Sequence, residues 1–158
     1  MAAAPPRIRP ATRADAGAVA SLAEGLAQSF AFSRASFDAH YPALLAAGHA
    51  RLLVAVTGAE AAAGADAAGD ECVGYMLGFE HLTFYANGRV AWVEEVFVHA
   101  DLRGRGIGRA LMTEFERWAR GRGCALVALA TRRAVPFYRA IGYEDSAAYL
   151  RKLLPLQG

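Results

Sequence analysis

"HADLRGRGIGRALM", residues 99 to 112, sets three glycines and three arginines between positions 103 and 109, then runs into an amphipathic stretch at Leu111 and Met112. Just upstream lies the strand-like "WVEEVFV" of residues 92 to 98. A strand, a glycine turn and a helix start in that order leave backbone N–H groups unpaired at the positive end of a helix dipole, a natural phosphate site. Two phosphate loops do not fit. The dinucleotide fingerprint Gly-x-Gly-x-x-Gly fails because its third glycine falls on Arg109 or, one glycine on, on Leu111. A P-loop fails because no Gly-Lys-Ser/Thr follows. The spacing present is Arg-x-x-Gly-x-Gly, formed by Arg103, Gly106 and Gly108.

Working outward, Ile107, Leu111, Phe115 and Trp118 make one stripe of a helix that Gly121 and Gly123 end. "CALVALA" (124–130) is a continuous apolar run, expected as a strand covered on both faces. "AVPFYRAIGY" (134–143) reads as a short helix with Pro136 in its first turn, and "AAYLRKLL" (147–154) as a last strand. Toward the N-terminus, "RIRPAT" reads as a strand. A helix follows, with Thr12 as N-cap, Asp15 in the capping-box position, and Val19, Leu22, Leu26 and Phe30 on one face. A second helix from about Ser36 to Ala47 leads through Gly48 to the buried strand "ARLLVAVTG". "AEAAAGADAAGDE" (59–71) is low in complexity and reads as a mobile hairpin loop, followed by the strands "CVGYMLGFEHL" and "VAWVEEVFVH". This order predicts an α/β, or mixed α+β, sheet with helices packed on it.

At 158 residues the chain has the size of one domain, so residues 1–158 are expected to form a single globular unit. No apolar run approaches the roughly 20 residues of a membrane span. "MAAAPPRIRP" lacks the apolar core of a secretory signal, which predicts a cytoplasmic protein. Cys72 and Cys124 have no CxxC spacing and sit in apolar runs, so they read as reduced core thiols, and no metal site is expected. The net charge is only +2, and the arginines are interspersed with acids, which gives no basic face for nucleic acid.

The Arg103–Gly106–Gly108 loop resembles the coenzyme A pyrophosphate loop of the GCN5-related N-acetyltransferases (GNAT). The resemblance extends further. "WVEEVFV" is similar to the family's strand that splays from its neighbour and bonds the pantetheine arm. "TRRAVPFYRAIGYE" resembles the family's Asn-x-x-Ala-x-x-Phe-Tyr-x-x-x-Gly-Phe segment, with Ala134, Phe137, Tyr138 and Gly142 matching, Thr131 in place of Asn and Tyr143 in place of Phe. "IRPATRADAGAVASL" resembles its first strand and helix. The fold implied is a twisted mixed sheet of about six to seven strands flanked by about four helices.

The activity implied is acetyl transfer from acetyl-CoA, as co-substrate, to a primary amine by direct attack in a ternary complex, with no metal and no covalent enzyme intermediate. The acceptor is expected to be a small-molecule amine, with no nucleic acid or membrane as partner, and a homodimer is compatible with the reading. A protein N-terminal or lysine acetyltransferase and a non-catalytic acyl-CoA sensor remain as alternatives. The resemblance assigns the pyrophosphate to residues Gly104, Arg105, Gly106, Ile107, Gly108 and Arg109, with Arg103 adding countercharge. The pantetheine goes to the main chain of Val96, Phe97 and Val98, and a further cofactor contact to Thr131. Tyr138 is the expected general acid. Strict alternation turns Glu94 and Glu95 to opposite faces, so that only one looks into the acceptor cleft. Similarity to the diamine acetyltransferase-like members favours Glu94 as the base, acting through a water, with simple binding of a cationic substrate as its other reading. His81 and His99 are reserve candidates. Residues 31–49 and "HLTFYANGR" (81–89) are expected to choose the acceptor.

Overall fold

The computed structural model describes residues 6–27, 30–58 and 70–155. Strand β1 (Arg7–Pro10) leads to Thr12, whose N–H and Oγ1 both donate to Asp15 Oδ2, at 2.7 and 3.0 Å. The cap read from the sequence therefore forms, around a single 3-10 turn, Arg13–Asp15, that enters α1 (Ala16–Leu26). Arg9 grips the same carboxylate at 2.7 and 2.8 Å. Burial favours the neutral acid there, but the bonds from Arg9 and Thr12 together outweigh it and hold the Asp15 carboxyl below its usual range. Helix α1 buries Val19 and Leu22, whereas Phe30, expected on the same face, lies beyond the helix and is exposed. Helix α2 (Arg34–Ala46) is capped by Ser33, whose Oγ accepts the Ser36 N–H at 3.2 Å.

The remaining elements are β2 (Ala50–Thr57), β3 (Glu71–Thr83), β4 (Gly88–Val98), α3 (Ile107–Gly121), β5 (Cys124–Leu129) and α4 (Val135–Ala140). The strands lie in sequence order in one sheet, antiparallel from β1 to β4 and parallel between β4 and β5. One face carries α3, with Leu111, Met112 and Phe115 packed on Leu53, Met76 and Val93. The other carries α1 and α2, with Val19, Leu22 and Tyr41 on Val54, Tyr75 and Leu77. The approach of α3 is close: a Cβ at Gly78 would stand 2.4 Å from the Phe115 ring and 2.9 Å from the Trp92 carbonyl. Among the described residues no helix is long and apolar enough to cross a membrane.

The expected mixed sheet forms, with four α-helices but five strands among the described residues instead of six or seven. The difference lies at the C-terminus. Residues 147–154, expected as the last strand, form no strand, and every residue from Glu144 to Pro155 is exposed. A β-compatible stretch becomes a strand only when an edge receives it, and within one chain this one joins none. Nor is β5 covered on both faces, as the apolar run led one to expect: Ala125 and Leu126 are exposed. Most of the expected loop 59–71 lies outside the described residues; Glu71 already belongs to β3.

Candidate active site

The site begins with a register slip. In the β3–β4 ladder Leu77 pairs with Glu95 and Gly78 with Val93, so Glu94 is an extra residue, a β-bulge. The slip exchanges the two faces of β4. Before it, Ala91 and Val93 pack on the α3 side; after it, Val96 and Val98 do, while Phe97 turns to the α1–α2 side. Strict alternation across Glu94 and Glu95 is therefore broken, and both carboxylates line the same cleft. This corrects the expectation that only one could. Glu94 is exposed; Glu95 is half-buried, and its Oε2 accepts the Tyr75 hydroxyl at 2.7 Å.

Beyond the bulge β4 also leaves β5. Their parallel pairing runs from Arg89 with Cys124 to Val93 with Leu129 and stops there. The His99 N–H donates to the Val73 carbonyl of β3 at 2.9 Å, so alternation directs the amides of Val98 and Val96 to the opposite edge, into the opening. The Val98 carbonyl, on that edge, accepts Arg103 Nε at 3.1 Å. The Arg103 guanidinium also lies over the Phe97 ring, 5.4 Å from its centroid, so the first arginine of the loop is pinned to the strand that precedes it.

The glycine turn closes one end of the opening. Gly104 and Gly106 have φ of +75° and +82°, a left-handed region costly for other residues, and a Cβ at either would meet nothing within 4 Å. Their need for glycine is thus conformational. Gly106 caps α3 with no side-chain bond to the first helical amides, so the N–H groups of Ile107, Gly108 and Arg109 are left for an outside acceptor. Gly108 serves differently: a Cβ there would come within 3.3 Å of the Phe137 ring, where α4 packs on α3. Arg103 and Arg109 line the cleft; Arg105, expected at the same turn, is not among its lining residues.

Thr131 lies on the far wall, where its Oγ1 accepts the Ala134 N–H at 3.1 Å and sets the turn into α4. The shorter side chain is thus engaged locally at its oxygen, with its hydroxyl hydrogen left to donate. Tyr138 projects from α4 into the cleft, between edge-on contacts with Phe137 (4.9 Å) and Tyr143 (5.8 Å). Among the described residues its hydroxyl has no hydrogen-bond partner. Burial pushes the phenol above its usual value, so at neutral pH it is a proton donor.

The cleft, of about 1320 Å³, has a second half beyond Glu94. There Phe32, Phe37 and His40, in and just before α2, face Tyr75 and the two carboxylates. Of the two segments expected to choose the acceptor, 31–49 thus lines the cleft and 81–89 does not. The hairpin of residues 83–88 lies at the opposite end of the sheet, past the Arg89–Cys124 pair, with Phe84 and Tyr85 exposed. His81 and His99 are also outside the cleft; His99 faces Asp101 at 3.7 Å. Sequence reading passed over Tyr75 and His40. For Tyr75 the available signal was a phenol inside the apolar "VGYML", since a buried tyrosine calls for a partner.

The donors suit a long, kinked polyanion: helix-start amides and two arginines at one end, strand amides along its length. Comparison with known proteins gives this geometry its relatives. The model of the acetyltransferase (GNAT) family matches residues 24–143. An aminoglycoside N(6')-acetyltransferase type 1 from Stenotrophomonas maltophilia is 31% identical over 99% of this chain and 98% of its own. Glucosamine 6-phosphate N-acetyltransferase 1 from Oryza sativa subsp. japonica is 34% identical over 88% of this chain and 81% of its own. Among solved structures, an aminoglycoside N-acetyltransferase in complex with CoA superposes with a TM-score of 0.76 at 18% identity, covering 96% of this chain and 95% of that one.

Proposed function

This chain belongs to the acetyltransferase (GNAT) family, and from that premise we propose that it acetylates a primary amine of a small cationic molecule by direct attack in a ternary complex. The observation that carries the reading is the shared cleft: the amide-lined opening at α3 and β4 meets Glu94, Glu95 and Tyr138 in one space. Both relatives matched over most of their length are named for small amine-bearing molecules, which supports a small acceptor over a protein. The two thiols, Cys72 and Cys124, are free, in keeping with a cytoplasmic protein.

Acetyl-CoA, the family's co-substrate, supplies an acyl group activated as a thioester. The amides of residues 106–109, with Arg103 and Arg109, hold its pyrophosphate. The main chain of Val96 and Val98 pairs with the pantetheine amides, which fixes the direction of the arm along β4. An aliphatic ammonium has a pKa of about 10 and must lose a proton before it attacks. Glu95, held by Tyr75, draws the ammonium in, and Glu94, exposed at the bulge, takes its proton through a water. The Tyr138 hydroxyl gives a proton to the departing sulfur. Following thiol release from acetyl-CoA across a panel of amines tests the reading. Turnover with small cationic amines is expected, and turnover with peptide N-termini or lysines alone would contradict it.

A further inference from the structure

The half of the cleft beyond the bulge carries its charge on one wall only. Glu94 and Glu95 stand there on β4. Helices α1 and α2 and the segment between them supply the facing wall, and none of the described residues they give it is an acid, a lysine or an arginine. That wall is built of rings instead. Phe32 lies 5.9 Å from Phe37, and Phe37 lies 5.2 Å from Tyr41, centroid to centroid. Phe37 and Tyr41 pack in one cluster with Tyr75, so the row leads from Phe32 toward the tyrosine that holds Glu95. Phe30, 70% exposed, lines the cleft as well.

Much of the polar capacity around these rings is spent inside the protein. The Tyr41 hydroxyl donates to the Thr12 carbonyl at 2.8 Å, and the Tyr75 hydroxyl donates to Glu95. Both phenol hydrogens are thereby taken. Ser33 Oγ accepts the Ser36 N–H as the cap of α2. A hydroxyl-rich amine seated here would give up water at each hydroxyl and regain few partners, a cost that an aryl group does not incur. An apolar body instead gains by leaving water, and a ring can pack edge or face against other rings.

We propose that the acceptor is a primary amine on a short aliphatic arm with an aryl group at its other end. The ammonium sits at Glu94 and Glu95, and the ring packs against Phe32 and Phe37. This rests on the small-amine reading above and narrows it, because the same carboxylates would also receive the ammonium of an aminosugar, whereas the ring-lined wall favours an apolar body over a polyhydroxylated one.

Thiol release at saturating acetyl-CoA, with 2-phenylethylamine, butylamine and glucosamine as acceptors, tests the proposal. A hydrophobic pocket discriminates by roughly 10- to 200-fold for each methylene, so kcat/KM for 2-phenylethylamine is expected to exceed that for butylamine roughly 10-fold or more and that for glucosamine roughly 100-fold or more. A value for butylamine or glucosamine that equals or exceeds it overturns the proposal and leaves the small-amine reading standing. So does turnover of another small amine when 2-phenylethylamine is not accepted. Turnover of no small amine, with or without acetylation of peptide lysines, overturns both. Two variants locate the ring. Phe32 belongs to neither core cluster and Phe30 is exposed, so Phe32→Ser and, separately, Phe30→Ser can each be made without opening the core. Each is expected to raise KM for 2-phenylethylamine roughly 10-fold and to leave KM for acetyl-CoA and the melting temperature unchanged. An unchanged amine KM in the folded variants overturns the proposal.

Discussion

The Tyr75 hydroxyl, on a ring only 1% exposed, donates to Glu95 Oε2 at 2.7 Å and so ties the core of β3 to the carboxylate that follows the β4 bulge. Burial and the neighbouring Glu95 push the phenol well above its usual range, so it remains a donor at any working pH. Tyr75→Phe keeps the ring and removes the donor. A hydrogen bond to a charged group contributes about 1.5–3 kcal/mol, so KM for the cationic amine is expected to rise roughly 10-fold or more. KM for acetyl-CoA should stay unchanged. Steady-state kinetics with each substrate varied in turn separates the two.

Gly106→Val should abolish the rise in melting temperature that acetyl-CoA gives to the wild type. A ligand bound only by the folded state stabilises it by mass action, and valine is poorly suited to a φ of +82° at the helix cap. Gly108→Val is also expected to lower the melting temperature in the absence of ligand, because its side chain crowds the Phe137 ring. Thermal melts with and without acetyl-CoA check both. An undiminished shift in the Gly106 variant would move the polyanion away from α3.

Tyr138→Phe removes the proton donor and little volume. Turnover is expected to fall about 10- to 1000-fold, within the range of general acid catalysis, while acetyl-CoA binding persists. Single-turnover rates with a saturating accepted amine give the measurement. Wild-type turnover in this variant would remove Tyr138 from the chemistry.

Glu80, buried at the far end of the sheet, accepts Arg122 at 2.6 Å and pairs with Arg89 at 2.9 Å. The Arg122 bond, against an opposing burial effect and with help from Arg89, holds its carboxyl below the usual value of 4.5. A depressed folded-state value contributes stability that is present above the unfolded value and lost as pH falls through the folded one. The wild type should therefore lose stability below about pH 4.5. Glu80→Gln should melt lower at neutral pH and decline less steeply in acid, as melts from pH 7 to pH 3 would show.

The loop and its neighbours were legible because their signals are local. Glycines at 104 and 106, the apolar stripe from Ile107 to Trp118, and Thr12 with Asp15 each act within a turn or two of the residue that carries them. What escaped depends on partners distant in sequence. A bulge at Glu94 is a property of pairing with Leu77 and Gly78, and "VEEV" reads the same with or without the slip. Residues 81–89 read as a segment that chooses the acceptor because Phe84 and Tyr85 do not reveal which end of a strand they cap. The stretch 147–154 has the composition of a strand, but composition does not say whether an edge within the chain will receive it.

The pH dependence of turnover for Glu94→Gln and Glu95→Gln, with one accepted amine and both proteins shown to bind acetyl-CoA, bears most directly on how the cleft works. Glu94→Gln is expected to lose most turnover near neutral pH and to recover partly as pH rises and more of the amine is already neutral. Glu95→Gln is expected to raise KM for the amine and leave the shape of that profile alone. If the pH-rescued loss appears in Glu95→Gln instead, or in neither variant, Glu94 does not take the amine's proton.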